Sequence, residues 1–206
     1  KSINTGAVFV QQKIGQRVFR EYVEAFGIKQ PTGVDLIGEV AGNINNLRAD
    51  SPEINFATAS FGQGISVTPL GMATAIAAIA NEGKLMRPFL VSKTIKPDGQ
   101  EIVTQPQVVS QVITSRTANT LTAMLVNTVR EGYDKLKVGN YFVAGKTGTA
   151  QIPDPEGRGY ITQTIHSFVG YAPAFDPKFL IFLKIDKPKG INFASDSLSL
   201  AFSEMT

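Results

Sequence analysis

The sequence predicts an α+β fold, an antiparallel sheet flanked by helices. Helical patterns occupy the first two thirds of the chain, and three segments rich in Phe, Ile, Val, Thr and Tyr fill most of the last third. The connections between those segments are too short for the crossovers that parallel strands need, so the strands should run antiparallel. At 206 residues, 43% of them hydrophobic and 18% charged, the chain is one domain's worth of polypeptide with a sizeable core.

Each element has its own signal. Residues 5–26 carry Val8, Val18, Phe19, Tyr22, Val23 and Phe26 at helical spacing, with Gly15 as a break or kink and Gly27 as a stop. Residues 29–56 are rich in Gly, Asn, Pro and Asp without period and read as a long irregular connection. Thr68 is then a good N-cap, Pro69 suits the first helical position, and Gly83 suits the stop. Met72, Ala73, Ile76, Ala77, Ile79 and Ala80 make that helix apolar almost all round, which predicts burial. Residues 89–95 and 101–105 flank Pro97-Asp98-Gly99 as a hairpin. A further helix runs over residues 115–131, with Leu121, Met124, Leu125 and Val129 on one face and Gly132 closing it. Strands follow over residues 141–152, 164–171 and 179–186, and an amphipathic helix over 196–205 should cover the sheet.

Composition excludes several classes of function. Lys+Arg 20 against Asp+Glu 17 leaves a net charge of +3, too small and too evenly spread for nucleic acid. With no Cys there are no disulfides, thiolate nucleophiles or zinc-thiolate sites, and a single His leaves no metal-ligand spacing. Neither a metal nor a cofactor is expected. The most apolar stretch, residues 71–80, is well short of the roughly 20 residues that a membrane-spanning helix needs, and no signal peptide is visible. Because the chain opens on Lys1 rather than Met, the expectation is a trimmed piece of a longer gene product.

Two clusters carry chemistry. Gly145-Lys146-Thr147-Gly148-Thr149-Ala150 falls inside a strand, where a glycine usually marks close approach to the backbone. Its ammonium and two hydroxyls are the right donors for an anion lying along that strand. By average usage the tetrapeptide Lys146-Thr147-Gly148-Thr149 arises by chance on the order of a few times in a thousand such chains. It is not a phosphate-binding loop, since the upstream glycine is absent and the segment is a strand. Ser2-Ile3-Asn4 is the second cluster. On its own a Ser-x-Asn arises with roughly even odds, and the plain explanation is capping of the helix that follows.

In this order the two clusters resemble the second and third motifs of the penicillin-recognising serine acyl-transferases. The segments Phe61-Gly62-Gln63-Gly64-Ile65-Ser66-Val67-Thr68-Pro69-Leu70 and Ser167-Phe168-Val169-Gly170-Tyr171-Ala172-Pro173 extend the likeness to class B penicillin-binding proteins. These are the D,D-transpeptidases that cross-link peptidoglycan, and the division-type branch is nearer than the elongation branch. The resemblance runs from Ser2 to about Lys189; after Gly190 the family's Gly-Gly and Ala-Ala-Pro pattern is absent.

The resemblance implies a role for each matching residue. Ser2 would relay a proton between nucleophile and leaving amine, and Asn4 would hold the acyl substrate's backbone and a neighbouring lysine. Lys146 would supply positive potential and steady the relay. Thr147 and Thr149 would bind the carboxylate of a D-Ala-D-Ala stem peptide or of a β-lactam, and the Thr149 N–H would be half of an oxyanion hole. Gly148 would leave room for the bound peptide.

The family's nucleophile is a Ser-x-x-Lys, and no serine here has a lysine three positions later. The expectation is therefore that residues 1–206 are the C-terminal portion of a single transpeptidase domain, inactive alone and completed by an N-terminal half that is a separate chain or was removed by proteolysis. That half would bring the nucleophile helix and the first strands of a five-stranded sheet. Residues 179–185, apolar nearly throughout, read as a strand buried on both faces within such a sheet. The whole protein would be anchored at the outer face of the bacterial cytoplasmic membrane by a segment outside this chain. A penicillin-binding sensor without turnover and a serine β-lactamase are the competing readings. His166 is expected to be structural, residues 153–159 a solvated loop or a gate, and Asp154 and Glu156 no catalytic pair. Gln63 and Gly64 either shape the site or merely pack the entry to the next helix.

Overall fold

Gly15 divides the first helical pattern in two. At φ 81° and ψ 158° it sits in a region essentially reserved for glycine, so α1 (Asn4–Ile14) stops and α2 (Gln16–Ala25) starts afresh. The computed structural model that shows this describes residues 2–133, 136, 138–157 and 159–206.

The next stretch corrects the sequence reading. Residues 29–52 are irregular apart from a 3-10 turn at Asn45–Leu47, but α3 (Glu53–Ser60) begins inside the segment expected to be irregular. Only eight residues long, it has no side-chain cap, and Asn55, Thr58 and Ser60 are poor helix formers. Tertiary packing holds it: Phe56 and Ala59, three apart, are buried with Ile28, Ile44, Leu47 and Ala75.

α4 (Pro69–Ala80) forms where the sequence placed it. The Thr68 hydroxyl accepts the Gly71 N–H at 3.0 Å, and Gly71, Ala75 and Ala78 are buried. Beyond it, β1 (Lys84–Arg87) pairs antiparallel with β4 (Gln107–Gln111), enclosing the hairpin β2 (Lys93–Ile95) and β3 (Glu101–Val103). The hairpin is shorter than expected and β1 and β4 were not foreseen. The N–H groups of Leu90 and Val91, expected to enter a strand ladder, instead donate to the Asp35 carboxylate at 2.7 and 2.8 Å. β4 is exposed along its whole length, so no buried face wrote an apolar pattern into it.

The Thr114 hydroxyl caps α5 (Ser115–Gly132) by accepting the Thr117 N–H. The principal sheet follows as β5 (Ala144–Pro153), β6 (Tyr160–Ala172) and β7 (Phe179–Asp186), antiparallel in the order β5-β6-β7. One face packs Phe168 against Val129 of α5 and Leu198 and Phe202 of α6 (Ala194–Glu204). The other brings Ala144 and Tyr171 against Ile76 and Ala80 of α4 and Leu125 of α5. Helices thus cover both faces, and this is the α+β arrangement that the sequence predicts. β7 stands here without the further strands that the sequence reading places beside it. It lies at the edge of the three strands, half-buried over residues 180–183, with Phe179 and Ile185 exposed.

Candidate active site

β5 is the opposite edge of that sheet, and one side of its backbone faces away from β6. At Thr147 this outer side is occupied: its N–H donates to the Tyr133 hydroxyl at 3.1 Å, and its carbonyl accepts from Lys146 Nζ at 2.8 Å. Backbone groups along a strand alternate in direction, so those of Thr149 also point outward.

Lys146, one residue before Thr147, sends its side chain to the sheet face opposite to that of the Thr147 side chain. There its Nζ donates to Ser2 Oγ at 3.1 Å, joining residues 144 apart in sequence. Partial burial holds the Lys146 ammonium below the usual lysine range. Ser2 does not cap the helix it precedes. The N-cap of α1 is Ile3, and among the described residues no side-chain cap hydrogen bond is made there. The plain explanation of Ser2-Ile3-Asn4 is thereby removed for the serine. Asn4 opens α1 with an exposed side chain that makes no hydrogen bond to a described residue.

The threonines lie on the face opposite to the Lys146 side chain. Thr147 Oγ1 is 2.8 Å from the Tyr133 hydroxyl, and Thr149 Oγ1 accepts the Ala194 N–H at 3.2 Å, which leaves the Thr149 hydroxyl proton free to donate. Gly148 has an intramolecular cause as well as the expected one: a Cβ there would lie 2.6 Å from Ser167 Oγ on β6. At Gly145 the close approach comes from the core, with Phe168 Cζ 2.8 Å and the Val169 carbonyl 3.0 Å from where a Cβ would be. Chemically, the strand edge offers an ammonium, two threonine hydroxyls and outward backbone groups to an anionic extended chain, with a serine hydroxyl held by the ammonium beside it.

Behind this edge lies His166, fully buried and opposite Thr149 in the β5–β6 register. Its ring nitrogens meet Thr164 Oγ1 at 3.1 Å and Ser197 Oγ at 3.0 Å, so it ties β6 to the start of α6. Asp154 accepts the Glu156 N–H at 3.0 Å within the 153–159 loop, a local turn rather than a carboxylate pair. Arg158 of that loop lies outside the described residues. Gln63 and Gly64 bond to Thr58 and Asn46, consistent with helix-entry packing. Cavities of about 320 and 200 Å³ lie elsewhere, lined by such residues as Phe26, Pro31 and Leu85 and by Arg87, Phe89 and Gln105 respectively. The candidate site is an open edge. Among the described residues no group of His, Asp and Glu side chains could hold a metal ion, and no helix is long and apolar enough to cross a membrane.

Sequence reasoning missed two participants, Tyr133 and the Ala194 N–H. Tyr133 follows the glycine that ends α5 and belongs to no periodic pattern; the Ala194 contact comes from backbone, which no side-chain motif reports.

Comparison with known proteins identifies the family. Residues 1–203 match the penicillin binding protein transpeptidase domain. Stage V sporulation protein D of Bacillus subtilis is 36% identical over 192 residues, which cover 92% of this chain and 29% of that protein. Peptidoglycan D,D-transpeptidase FtsI of Escherichia coli is 30% identical over 199 residues, 97% of this chain and 32% of that protein. The crystal structure of penicillin-binding protein 3 from Mycobacterium tuberculosis, complexed with aztreonam, superimposes with a TM-score of 0.89 at 32% identity, covering 100% of this chain and 48% of that one. The chain thus spans about a third of the length of these curated relatives and about half of that structure. With its α+β fold and its Lys-Thr-Gly-Thr strand beside Ser2, the chain belongs to the penicillin-binding protein transpeptidase family, among class B relatives of the division and sporulation type.

Proposed function

We propose that the chain is the C-terminal part of a peptidoglycan D,D-transpeptidase domain and forms one wall of its active site. The observation that carries this reading is the Lys146–Ser2 hydrogen bond, which joins two distant motifs across the fold. A serine nucleophile, supplied by polypeptide outside these residues, attacks the penultimate carbonyl of a D-Ala-D-Ala stem peptide. Its proton passes through the Ser2 hydroxyl to the departing D-Ala amine as the peptide C–N bond breaks. The amine of an acceptor stem peptide then displaces the serine oxygen and forms the cross-link.

In this mechanism Lys146 orients Ser2 and adds positive potential, and Asn4 holds the acyl side of the substrate. Thr147 and Thr149 take the terminal carboxylate, Gly148 keeps the strand clear, and the Thr149 N–H stabilises the tetrahedral oxyanion. A donor of that kind is worth about 2.7–4 kcal/mol of barrier. A β-lactam places its carboxylate at the same position, and attack of the serine on the lactam carbonyl opens the ring C–N bond and leaves a stable acyl-enzyme. The chain is inactive without the N-terminal half. The assembled protein works at the outer face of the cytoplasmic membrane, anchored by a segment beyond these residues.

Fluorescent penicillin labelling of the whole protein tests the reading. Stable labelling, lost in Ser2→Ala and Lys146→Ala variants that remain folded, supports it. Rapid release of label indicates a β-lactamase instead, and no label indicates a sensor module or an unrelated use of the fold.

A further inference from the structure

Tyr133 stands where the outer edge of β5 would otherwise continue. Its phenol oxygen accepts the Thr147 N–H at 3.1 Å and lies 2.8 Å from Thr147 Oγ1. The ring meets Phe168 edge to face, with centroids 5.8 Å apart, and packs on the core beneath the sheet. The hydroxyl is therefore held by a ring that has little freedom to swing away.

Two consequences follow. An extended ligand pairing with β5 finds the outward groups of Thr149 without a partner among the described residues, but at Thr147 the N–H is taken by Tyr133 and the carbonyl by Lys146. Main-chain pairing must end there. The second consequence concerns protons. The two hydroxyls of Tyr133 and Thr147 hold two between them, and whichever group donates across the 2.8 Å contact, one O–H remains for an outside acceptor. The place where a ligand backbone must stop is thus also where a carboxylate finds a donor.

We propose that Tyr133 is a positioning and specificity-determining residue that makes the site select substrates ending in a free carboxylate, by closing the strand edge and leaving the Thr147–Tyr133 pair one hydroxyl proton to donate. This rests on the transpeptidase reading above and adds to it a determinant for chain ends over internal peptide bonds.

The test uses the whole protein, wild type and Tyr133→Phe, which removes the hydroxyl and keeps the ring on Phe168. The probes are an acyl-D-alanyl thioglycolate thioester as its free acid and as its methyl ester. Acylation is followed by thiol release, with KM and kcat measured separately. Wild type should prefer the acid. Tyr133→Phe leaves Thr147 one O–H but removes the partner that aims it and frees the Thr147 N–H, so the acid-to-ester preference should shrink on the order of tenfold, the change falling on KM rather than kcat. Equal loss on both probes, or an unchanged acid-to-ester preference, overturns the proposal and leaves the transpeptidase reading standing. Acylation of wild type by neither probe overturns both. A Tyr133→His variant, whose shorter side chain retains a donor, keeps the test open should the Phe variant fold poorly; preserved acid preference there supports the proposal, and a loss equal on both probes counts against it.

Discussion

Tyr171 and Thr122 clamp α5 to the middle strand of the principal sheet, and the clamp can be measured. Their hydroxyl oxygens are 2.7 Å apart, with Tyr171 wholly buried and Thr122 only 3% exposed. Burial pushes the Tyr171 phenol above its ordinary range and the Thr122 hydrogen bond pulls partly back, so the phenol stays protonated through neutral pH. Tyr171→Phe strands the Thr122 hydroxyl in an apolar layer made with Ala144 and Ala174. A buried polar group left unpaired costs about 1–3 kcal/mol, and near the middle of that range the thermal midpoint should fall by roughly 4–8 °C. The Tyr171→Phe, Thr122→Val double variant removes both partners with little change of shape and should recover to within about 1 kcal/mol of wild type. Thermal unfolding of the four proteins supplies the cycle. A single variant as stable as wild type, or a double variant that loses the sum of both singles, would refute the reasoning, because neither outcome fits an isolated buried pair.

Three other measurements test separate parts of the structure. Because burial lowers the folded-state pKa of Lys146, the unfolded chain holds an extra proton between that value and the ordinary lysine pKa; stability should rise with pH across this window, and the rise should be missing from the pH dependence of the thermal midpoint in Lys146→Met. Gly145→Ala should destabilise by about 1–3 kcal/mol, since its Cβ would meet Phe168 at 2.8 Å and the Val169 backbone at 3.0 Å; denaturant unfolding unchanged from wild type would contradict that packing. Gly15→Ala should cost about 1–3 kcal/mol in the same assay although nothing lies within 4 Å of the added methyl, because the cost lies in the backbone angle alone.

Local signals account for the parts of the fold that were legible in the sequence. Thr68, Pro69 and the apolar run after them place α4, and Gly15 marks the break between α1 and α2 because few other residues tolerate its backbone angles. α3 was hidden because its stability comes from Phe56 and Ala59 meeting residues far along the chain, not from its own composition. The β1–β4 pair was hidden because its strands are separated by another hairpin, and β4 has no buried side to impose alternation. Asp35 reshaped the segment before β2 by accepting two backbone N–H groups that would otherwise seek a strand partner. In each case the deciding partner is distant in sequence.

The candidate site divides along the same line. Lys146, Thr147 and Thr149 were legible because a strand edge uses consecutive residues, so their chemistry is written contiguously. Ser2 was legible only through a resemblance, since its own surroundings are equally those of a helix start; what distinguishes it is a lysine 144 residues away. Tyr133 and His166 show the limit more sharply. Each is joined by contact or register to a residue of the motif, but Tyr133 reaches it through Thr147 from the end of α5, while His166 supports Thr149 indirectly, through Ser197 and the start of α6. Supporting residues of this kind are selected by a three-dimensional relation and not by a spacing. The same requirement can therefore be met with different side chains at other positions, whereas a strand proposed to touch the ligand has little freedom to change.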